Sequence, residues 1–144
     1  MNPNKQSLAP VNPPGTKRRV FVIEDHPLMR RSIVEAILRE PDLTVCGQAE
    51  DVPEVLVVVS AQPDVVLTDI QLQFSSGLDL IKSLQARLPD LPVVATTMFD
   101  LRRAERLART AGAAGFVSKQ DGPDQMIAAI REALTKRGEH DAGA

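Results

Sequence analysis

The sequence predicts an α/β fold, a doubly wound, five-stranded parallel sheet with five helices covering its two faces. The main observation is that short apolar segments alternate with longer amphipathic ones between residues 17 and 137. Several short segments are apolar at consecutive positions, which is typical of strands buried on both faces. Parallel strands need crossover connections, and the amphipathic segments have the length and position to supply them as helices.

Five segments are predicted to be strands because they are short, apolar and rich in β-branched residues. In chain order they are RVFVI (19–23), LTVCG (43–47), DVVLT (64–68), PVVAT (92–96) and AGFVS (114–118). Cys46 is the single cysteine and lies in the second strand, so it cannot form an internal disulfide and is expected to be a small core residue.

Five helices are predicted from apolar residues that recur three or four positions apart. They cover residues 27–39, 52–61, 77–87, 100–111 and 123–136. His26 and Pro27 suit the cap and the first position of the first helix. The second helix is the least regular, because VPEVLVVVSA is rich in β-branched residues. Its place between two strands nevertheless favours a crossover helix.

The two ends of the chain differ from its middle. Residues 1–16 contain four prolines and few apolar side chains, so they are predicted to be a disordered, proline-rich leader. Residues 138–144 are small and polar and are expected to form a tail. Residues 17–137 are therefore predicted to form one domain.

The composition argues against several classes of function. The 144 residues contain 17 Lys plus Arg and 19 Asp plus Glu, a net charge of −2, with neither Trp nor Tyr. This segment is therefore not expected to bind nucleic acid directly, through charge or through aromatic stacking. No apolar run is long enough for a membrane helix, and a cytoplasmic location is expected.

Polar residues follow four of the predicted strands. Glu24 and Asp25 follow the first, Asp69 the third, Thr97 the fourth and Lys119 the fifth. In a doubly wound sheet, ligands bind beyond the carboxyl ends of the strands. Two carboxylates about 4 Å apart repel by roughly 4 kcal/mol at an effective dielectric constant of 20, so such a cluster favours a cation. Hard oxygen ligands suit Mg²⁺, and a metal beside a carboxylate and a lysine is typical of phosphoryl transfer.

This arrangement resembles the receiver domain of two-component response regulators over residues 18–136. The resemblance is carried by VIEDHPLMRRSI, by PDVVLTDIQL followed by SGLDLI, by VVATTM and by GAAGFVSK. The EDHP and GAAGF motifs are most similar to those of the NarL/FixJ-type branch, whose members usually carry a C-terminal helix-turn-helix. The resemblance implies a flavodoxin-like strand order of 2-1-3-4-5.

The resemblance also implies a role for each residue of the site. Asp69 is expected to accept a phosphoryl group from a sensor histidine kinase or a phosphotransfer protein. Mg²⁺ is expected to bind Asp25, Asp69 and the backbone carbonyl of Gln71, with Glu24 assisting through water. These residues are therefore the candidate metal ligands.

The resemblance further implies a switch rather than an enzyme. Thr97 and Lys119 are expected to bind the phosphoryl oxygens, and Phe116 is expected to change rotamer together with Thr97. Signalling is expected through the fourth helix, fifth strand and fifth helix, with a homodimer forming on phosphorylation. The chain then acts alone or as the N-terminal part of a DNA-binding transcription regulator.

The sequence departs from the family pattern in ways that concern loops. Glu24 stands where an aspartate is more frequent, and Gln73 and Gln120 each stand where a proline is frequent. Gln71 and Phe99 are expected to border the path of the water that hydrolyses the phosphoryl group. Neither side chain can take a proton from that water, which predicts a long-lived phosphorylated form. The alternative is that Phe99 faces solvent or a partner.

The helix predicted over residues 100–111 has an arginine face and a weak apolar face. The arginines that share a face are Arg102, Arg106 and Arg109, opposite Ala104, Leu107 and Ala108. The arginine face is either solvated or paired with a partner or a second protomer. Because alanines supply few methyl groups to anchor the helix, it is a candidate for the element that moves.

Two other functions stay open at this point. A Mg²⁺-dependent phosphohydrolase of the haloacid-dehalogenase type would form an aspartyl-phosphate and would need an acid two residues after Asp69, where Gln71 stands. A receiver-like scaffold that is never phosphorylated is disfavoured because Asp69, Thr97 and Lys119 are all present.

Overall fold

Five parallel strands form one sheet in the computed structural model, which describes residues 16–72, 76–98 and 101–143. The strands are β1 Arg18–Ile23, β2 Leu43–Ala49, β3 Val65–Asp69, β4 Val93–Thr97 and β5 Gly115–Ser118. Their order is β2-β1-β3-β4-β5, and every neighbouring pair is parallel. The predicted fold class and strand order are therefore confirmed.

Helices connect these strands within the described residues. They are α1 Pro27–Leu38, α2 Val55–Ala61, α3 Gly77–Arg87, α4 Leu101–Ala111 and α5 Pro123–Gly143, with a one-turn 3-10 helix over Lys119–Asp121. The β-branched segment is helical, as predicted, but begins only at Val55 because Glu54 is still extended. α5 continues to Gly143, past the end predicted at residue 136, so residues that were expected to form a tail are helical. None of the helices described is long and apolar enough to cross a membrane.

The sheet separates two apolar layers, as expected for a doubly wound fold. On one face, side chains of α1 and α5 such as Ile37 and Ile130 pack against β1 and β3. On the other face, side chains of α2, α3 and α4 such as Val58, Leu84 and Ala108 pack against the same sheet. The central strand β3 is buried along its whole length, because helices cover both of its faces.

Capping interactions start two helices directly after the strands that carry acidic residues. His26 Nδ1 accepts a hydrogen bond from the backbone N–H of Met29 at 3.2 Å, so His26 caps α1 as predicted. Ser76 Oγ accepts a hydrogen bond from the backbone N–H of Leu78 at 3.2 Å and caps α3. Both helix N-termini therefore lie at the carboxyl edge of the sheet.

One close contact inside the second layer requires a glycine. The ring of Phe21, which is buried in β1, lies over Gly47 of β2. A β-carbon at position 47 would lie 2.5 Å from the Phe21 ring, well inside van der Waals contact. Any side chain at this position would therefore displace the ring from the core.

We expect Gly47→Ala to lower the free energy of unfolding by about 1–3 kcal/mol, the usual penalty of overpacking a core. Gly115→Ala is the matched control, because a β-carbon there would meet Val94 at an ordinary contact distance of 3.4 Å. Urea denaturation of both variants measures the difference. Equal stability of the two variants would contradict this account of the contact.

Candidate functional site

The carboxyl ends of β1 and β3 bring three acidic residues together. β1 and β3 are neighbours in the sheet, with Ile23 paired to Thr68, so Glu24, Asp25 and Asp69 follow at the same edge. One carboxylate oxygen from each acid lies within 4.8 Å of the others. The cluster predicted from the strand ends is therefore present, with Glu24 and Asp69 buried and Asp25 partly exposed.

Lys119 supplies a positive charge to this cluster from β5, two strands away from β3. Its Nζ atom donates a hydrogen bond to Asp69 Oδ2 at 2.5 Å, and it lies 2.5 Å from Glu24 Oε1. The lysine is itself buried, with 9% of its surface exposed. One ammonium group thus contacts two of the three acids in a place that solvent scarcely reaches.

Asp69 has a partner for each of its carboxylate oxygens. Oδ2 accepts the hydrogen bond from Lys119, and Oδ1 accepts one from the backbone N–H of Gln71 at 2.8 Å. Burial raises the pKa of Asp69, while Lys119 and the Gln71 N–H oppose that rise by favouring the charged form. The two contacts therefore fix the orientation of a carboxylate in a buried position.

Glu24 is the more deeply buried acid, and its two oxygens differ. Oε2 accepts a hydrogen bond from the backbone N–H of His26 at 3.1 Å, whereas buried Oε1 lies 2.5 Å from the Lys119 ammonium group. Burial raises the pKa of Glu24, and its interactions with Lys119 and His26 oppose the rise. Arg30 Nη1 also donates to the Glu24 backbone carbonyl at 2.7 Å and ties α1 to this turn.

Two carboxylates stabilise the positive charge on Lys119. Burial disfavours the ammonium form, but the interactions with Asp69 and Glu24 outweigh burial and raise the pKa of Lys119 above its ordinary value. Lys119 is therefore charged throughout the physiological range and balances one of the two carboxylates that it contacts.

Thr97 and Phe116 lie diagonally across the β4–β5 pair. Thr97 is paired with Ser118 and is fully buried, while Ala95 is paired with Phe116. Because side chains alternate along a strand, Thr97 leaves β4 on the same face as Ala95. The half-buried Phe116 packs against the layer that contains α4. The two residues predicted to act together therefore share one face of the sheet.

Gly77 allows α3 to begin against the backbone of Asp69, a requirement that sequence reasoning did not identify. A β-carbon at position 77 would lie 2.1 Å from the Asp69 carbonyl oxygen. The Gly77 N–H donates instead to the carbonyl of Ile70 at 3.2 Å. The Ser76-Gly77 pair at the start of the helix was the available signal for this close approach.

The loop residues singled out in the sequence have different outcomes. The side chain of Gln71 is exposed, and Gln73 and Phe99 lie outside the described residues, so shielding by Phe99 stays a prediction. Gln120 was expected only to alter a loop. Its Nε2 atom donates to the Met98 backbone carbonyl at 3.0 Å, which joins the segment after β4 to the turn after β5. A side-chain contact of this kind has no signature in the sequence.

We expect Lys119→Met to lower the free energy of unfolding by about 3–5 kcal/mol, because two buried carboxylates lose their cation. Adding Asp69→Asn should recover part of that loss, since only one of the two acids is then charged. Lys136→Met is the control, because Lys136 pairs with Glu132 on an exposed face and should change stability by at most about 0.5 kcal/mol. Urea denaturation measures all three, and a Lys119→Met protein of native stability would contradict the assigned ion pair.

Comparisons with known proteins agree with this geometry. The sequence model of the response regulator receiver domain matches residues 20–131. The chain is 33% identical over 115 residues to the DNA-binding transcriptional activator DevR/DosR of Mycobacterium tuberculosis, covering 79% of this chain and 53% of that protein. It is 35% identical over 124 residues to the transcriptional regulatory protein YxjL of Bacillus subtilis, covering 85% of this chain and 56% of that protein.

A solved structure supports the same assignment. The signal receiver domain of the response regulator NarL from Mycobacterium tuberculosis superposes with a TM-score of 0.75 at 29% identity, covering 83% of this chain and 98% of that one. The chain spans about half the length of the curated relatives it matches, 53% and 56% of the two above. These relatives are NarL/FixJ-type regulators, as the EDHP and GAAGF motifs indicated. The family match over residues 20–131, together with the fold and the acidic edge, shows that the chain belongs to the response regulator receiver domain family.

Proposed function

We propose that Asp69 accepts a phosphoryl group from a sensor histidine kinase or a phosphotransfer protein and that phosphorylation switches this domain. The observation that carries the proposal is the position of Asp69, a buried carboxylate at the end of the central strand that is oriented by Lys119 and by the Gln71 N–H. A carboxylate fixed in this way is a pre-positioned nucleophile.

The transfer requires one bond to form and one to break. An Asp69 carboxylate oxygen forms a P–O bond as the P–N bond of the donor phosphohistidine breaks, and the departing imidazole takes up a proton from solvent. Lys119 already contacts Asp69 and can follow the negative charge onto the phosphoryl oxygens. The backbone of Asp69 stays in place during the transfer, because Asp69 is the last residue of β3.

The donor set fits Mg²⁺. One oxygen from each of three carboxylates lies within 4.8 Å of the others, so hard oxygen atoms are available at one place. The ligands would be Asp25, Asp69 and the Gln71 backbone carbonyl, with Glu24 assisting through water. When bound, Mg²⁺ neutralises part of the charge on the transferred phosphoryl group.

Thr97 and Phe116 are proposed to convert this chemistry into a change of shape. A phosphoryl group on Asp69 offers oxygens to the Thr97 hydroxyl, which moves inward and vacates room for the Phe116 ring. One or two charge-assisted hydrogen bonds supply on the order of 1.5–3 kcal/mol each, enough to shift a two-state equilibrium tenfold or more. The change is expected to reach the face formed by α4, β5 and α5 and to promote a homodimer.

Transcriptional regulation is the output that the relatives suggest. One of them is a DNA-binding transcriptional activator in which the matched part is 53% of the protein. We infer that this receiver controls a comparable output, supplied by the same polypeptide or by a partner. A phosphohydrolase is not favoured, because the exposed Gln71 amide cannot serve as the acid that such an enzyme needs two residues after its nucleophile.

The chain should become phosphorylated by acetyl phosphate or phosphoramidate only when Mg²⁺ is present. Asp69→Asn should abolish the mass gain of one phosphoryl group in intact-protein mass spectrometry, since the amide is not a nucleophile. Asp79→Asn is the matched control, because Asp79 is exposed in the first turn of α3 and should not affect the reaction. Full phosphorylation of Asp69→Asn, or of the unmodified chain in excess EDTA, would refute the assignment.

Thr97→Ala should still be phosphorylated yet fail to transmit the change. In NMR spectra, the phosphorylation-dependent shifts of Phe116 and α4 should be lost, because the hydroxyl that follows the phosphoryl group is missing. Thr96→Ala is the control, since its side chain leaves β4 on the opposite face of the sheet. If the Thr97→Ala protein shows the same shifts as the unmodified chain, the proposed coupling is wrong.

A further inference from the structure

A groove between α3 and α4 combines an apolar floor with a cationic rim. Leu78, Leu107 and Ala111 form the floor, and Lys82, Arg103 and Arg106 line the edges. The groove has a volume of about 510 Å³ and opens to solvent on the side of the sheet away from α1 and α5. It lies on a different part of the surface from the acidic cluster.

Leu107 of α4 points outward, contrary to the sequence prediction. Leu107 was expected to share the core face with Ala104 and Ala108, but it is 44% exposed while both alanines are buried. Among the α4 side chains that the structure describes, the buried ones are alanines, and Leu107 lies in the groove. Leu107 is partly in contact with water on the floor of the groove. An apolar partner that covers it would remove this surface from water, which favours binding.

The groove is locally positive although the whole chain is acidic. α4 contains four arginines and one glutamate, and the chain has a net charge of −2. The single glutamate, Glu105, pairs with Arg109 at 3.0 Å and does not neutralise the rim. Within the part of the chain that the structure describes, Lys82 and Arg106 have no acidic partner. The rim therefore favours an acidic partner through uncompensated charge.

We propose that this groove docks an acidic amphipathic helix of a partner protein. The aliphatic side chains of such a helix would cover Leu78 and Leu107, and its Asp and Glu residues would meet Lys82 and Arg106. A helix that lies in a groove between two others is a common recognition mode, read through apolar residues three and four positions apart. The groove contains none of the residues that contact Asp69, and docking does not require Asp69 to be phosphorylated.

The chemistry of the groove favours a protein helix over two other occupants. DNA and RNA are held mainly through their phosphates, which use the cationic rim but gain nothing from an apolar floor. A two-fold pairing through this groove would bring two arginine-rich rims into one interface, and like charges within an interface are unfavourable. An acidic amphipathic helix uses both the floor and the rim.

The test uses a synthetic, side-chain-stapled helical peptide with leucines at i, i+3, i+4 and i+7 and glutamate at the remaining positions. Titrated into the isotope-labelled full chain, it should shift the backbone amides of Leu78, Lys82, Leu107 and Thr110 in a saturable way. Arg106→Glu should weaken the affinity by about tenfold, because a rim charge is reversed. Arg39→Glu is the matched control, with the same charge change on an exposed residue at the end of α1, and should bind as the unmodified chain does.

Further arms of the same experiment separate the alternatives. A peptide with lysine in place of every glutamate should not bind, and raised salt should weaken the glutamate peptide by screening the rim. Absence of saturable shifts, equal binding of the lysine peptide, or unchanged affinity of Arg106→Glu overturns the proposal. It is also overturned if duplex DNA displaces the glutamate peptide, or if sedimentation shows a dimer that Arg106→Glu dissociates.

Discussion

The ion pair from Lys119 to Asp69 and Glu24 is the interaction on which the rest of the structure depends. Two buried carboxylates are strongly unfavourable without a cation, and burying one lysine is unfavourable without an anion. Each group is therefore tolerated only because the other is present. The lysine follows β5 and the acids follow β1 and β3, and the strand order β2-β1-β3-β4-β5 brings all of them to one edge of the sheet. The ion pair and the topology of the sheet thus support the same fold.

The backbone around the acids is as constrained as their side chains. α3 can begin beside β3 because Gly77 has no β-carbon to strike the Asp69 carbonyl, and α1 begins directly after β1 under the cap supplied by His26. Backbone N–H groups of Gln71 and His26 then hold one oxygen of each buried acid. The acids are thus held by backbone N–H groups on one side and by Lys119 on the other, which fixes the carboxylates of the cluster in place.

The helices, the strands and the acidic edge could be predicted from the sequence, because they depend on periodicity and on where strands end. The sequence did not predict the orientation of a side chain that could face either the core or the solvent. Leu107 has the spacing of a core residue, but the buried stripe of α4 runs through Ala104, Ala108 and Ala111, and Leu107 is left 44% exposed. The link from Gln120 to the Met98 carbonyl depends on the geometry of two loops that no periodic pattern describes. Gly77 could have been identified, because a glycine at the first position of a helix invites the question of what lies close to it.

One side of α4 packs on the sheet, and the other side lines the groove against α3. The buried side chains described for α4 are alanines, and an alanine loses fewer contacts than a leucine would when a helix shifts on a sheet, because it has only one methyl group. The outer side of α4 carries the leucine and arginines that line the groove against α3. If the proposed switch at Phe116 displaces α4, the width of that groove would change, because α3 is held by Leu80, Ile81 and Leu84 in the core. A weakly anchored helix beside a firmly anchored one is thus a physical route by which the state of Asp69 can alter a surface that it does not touch.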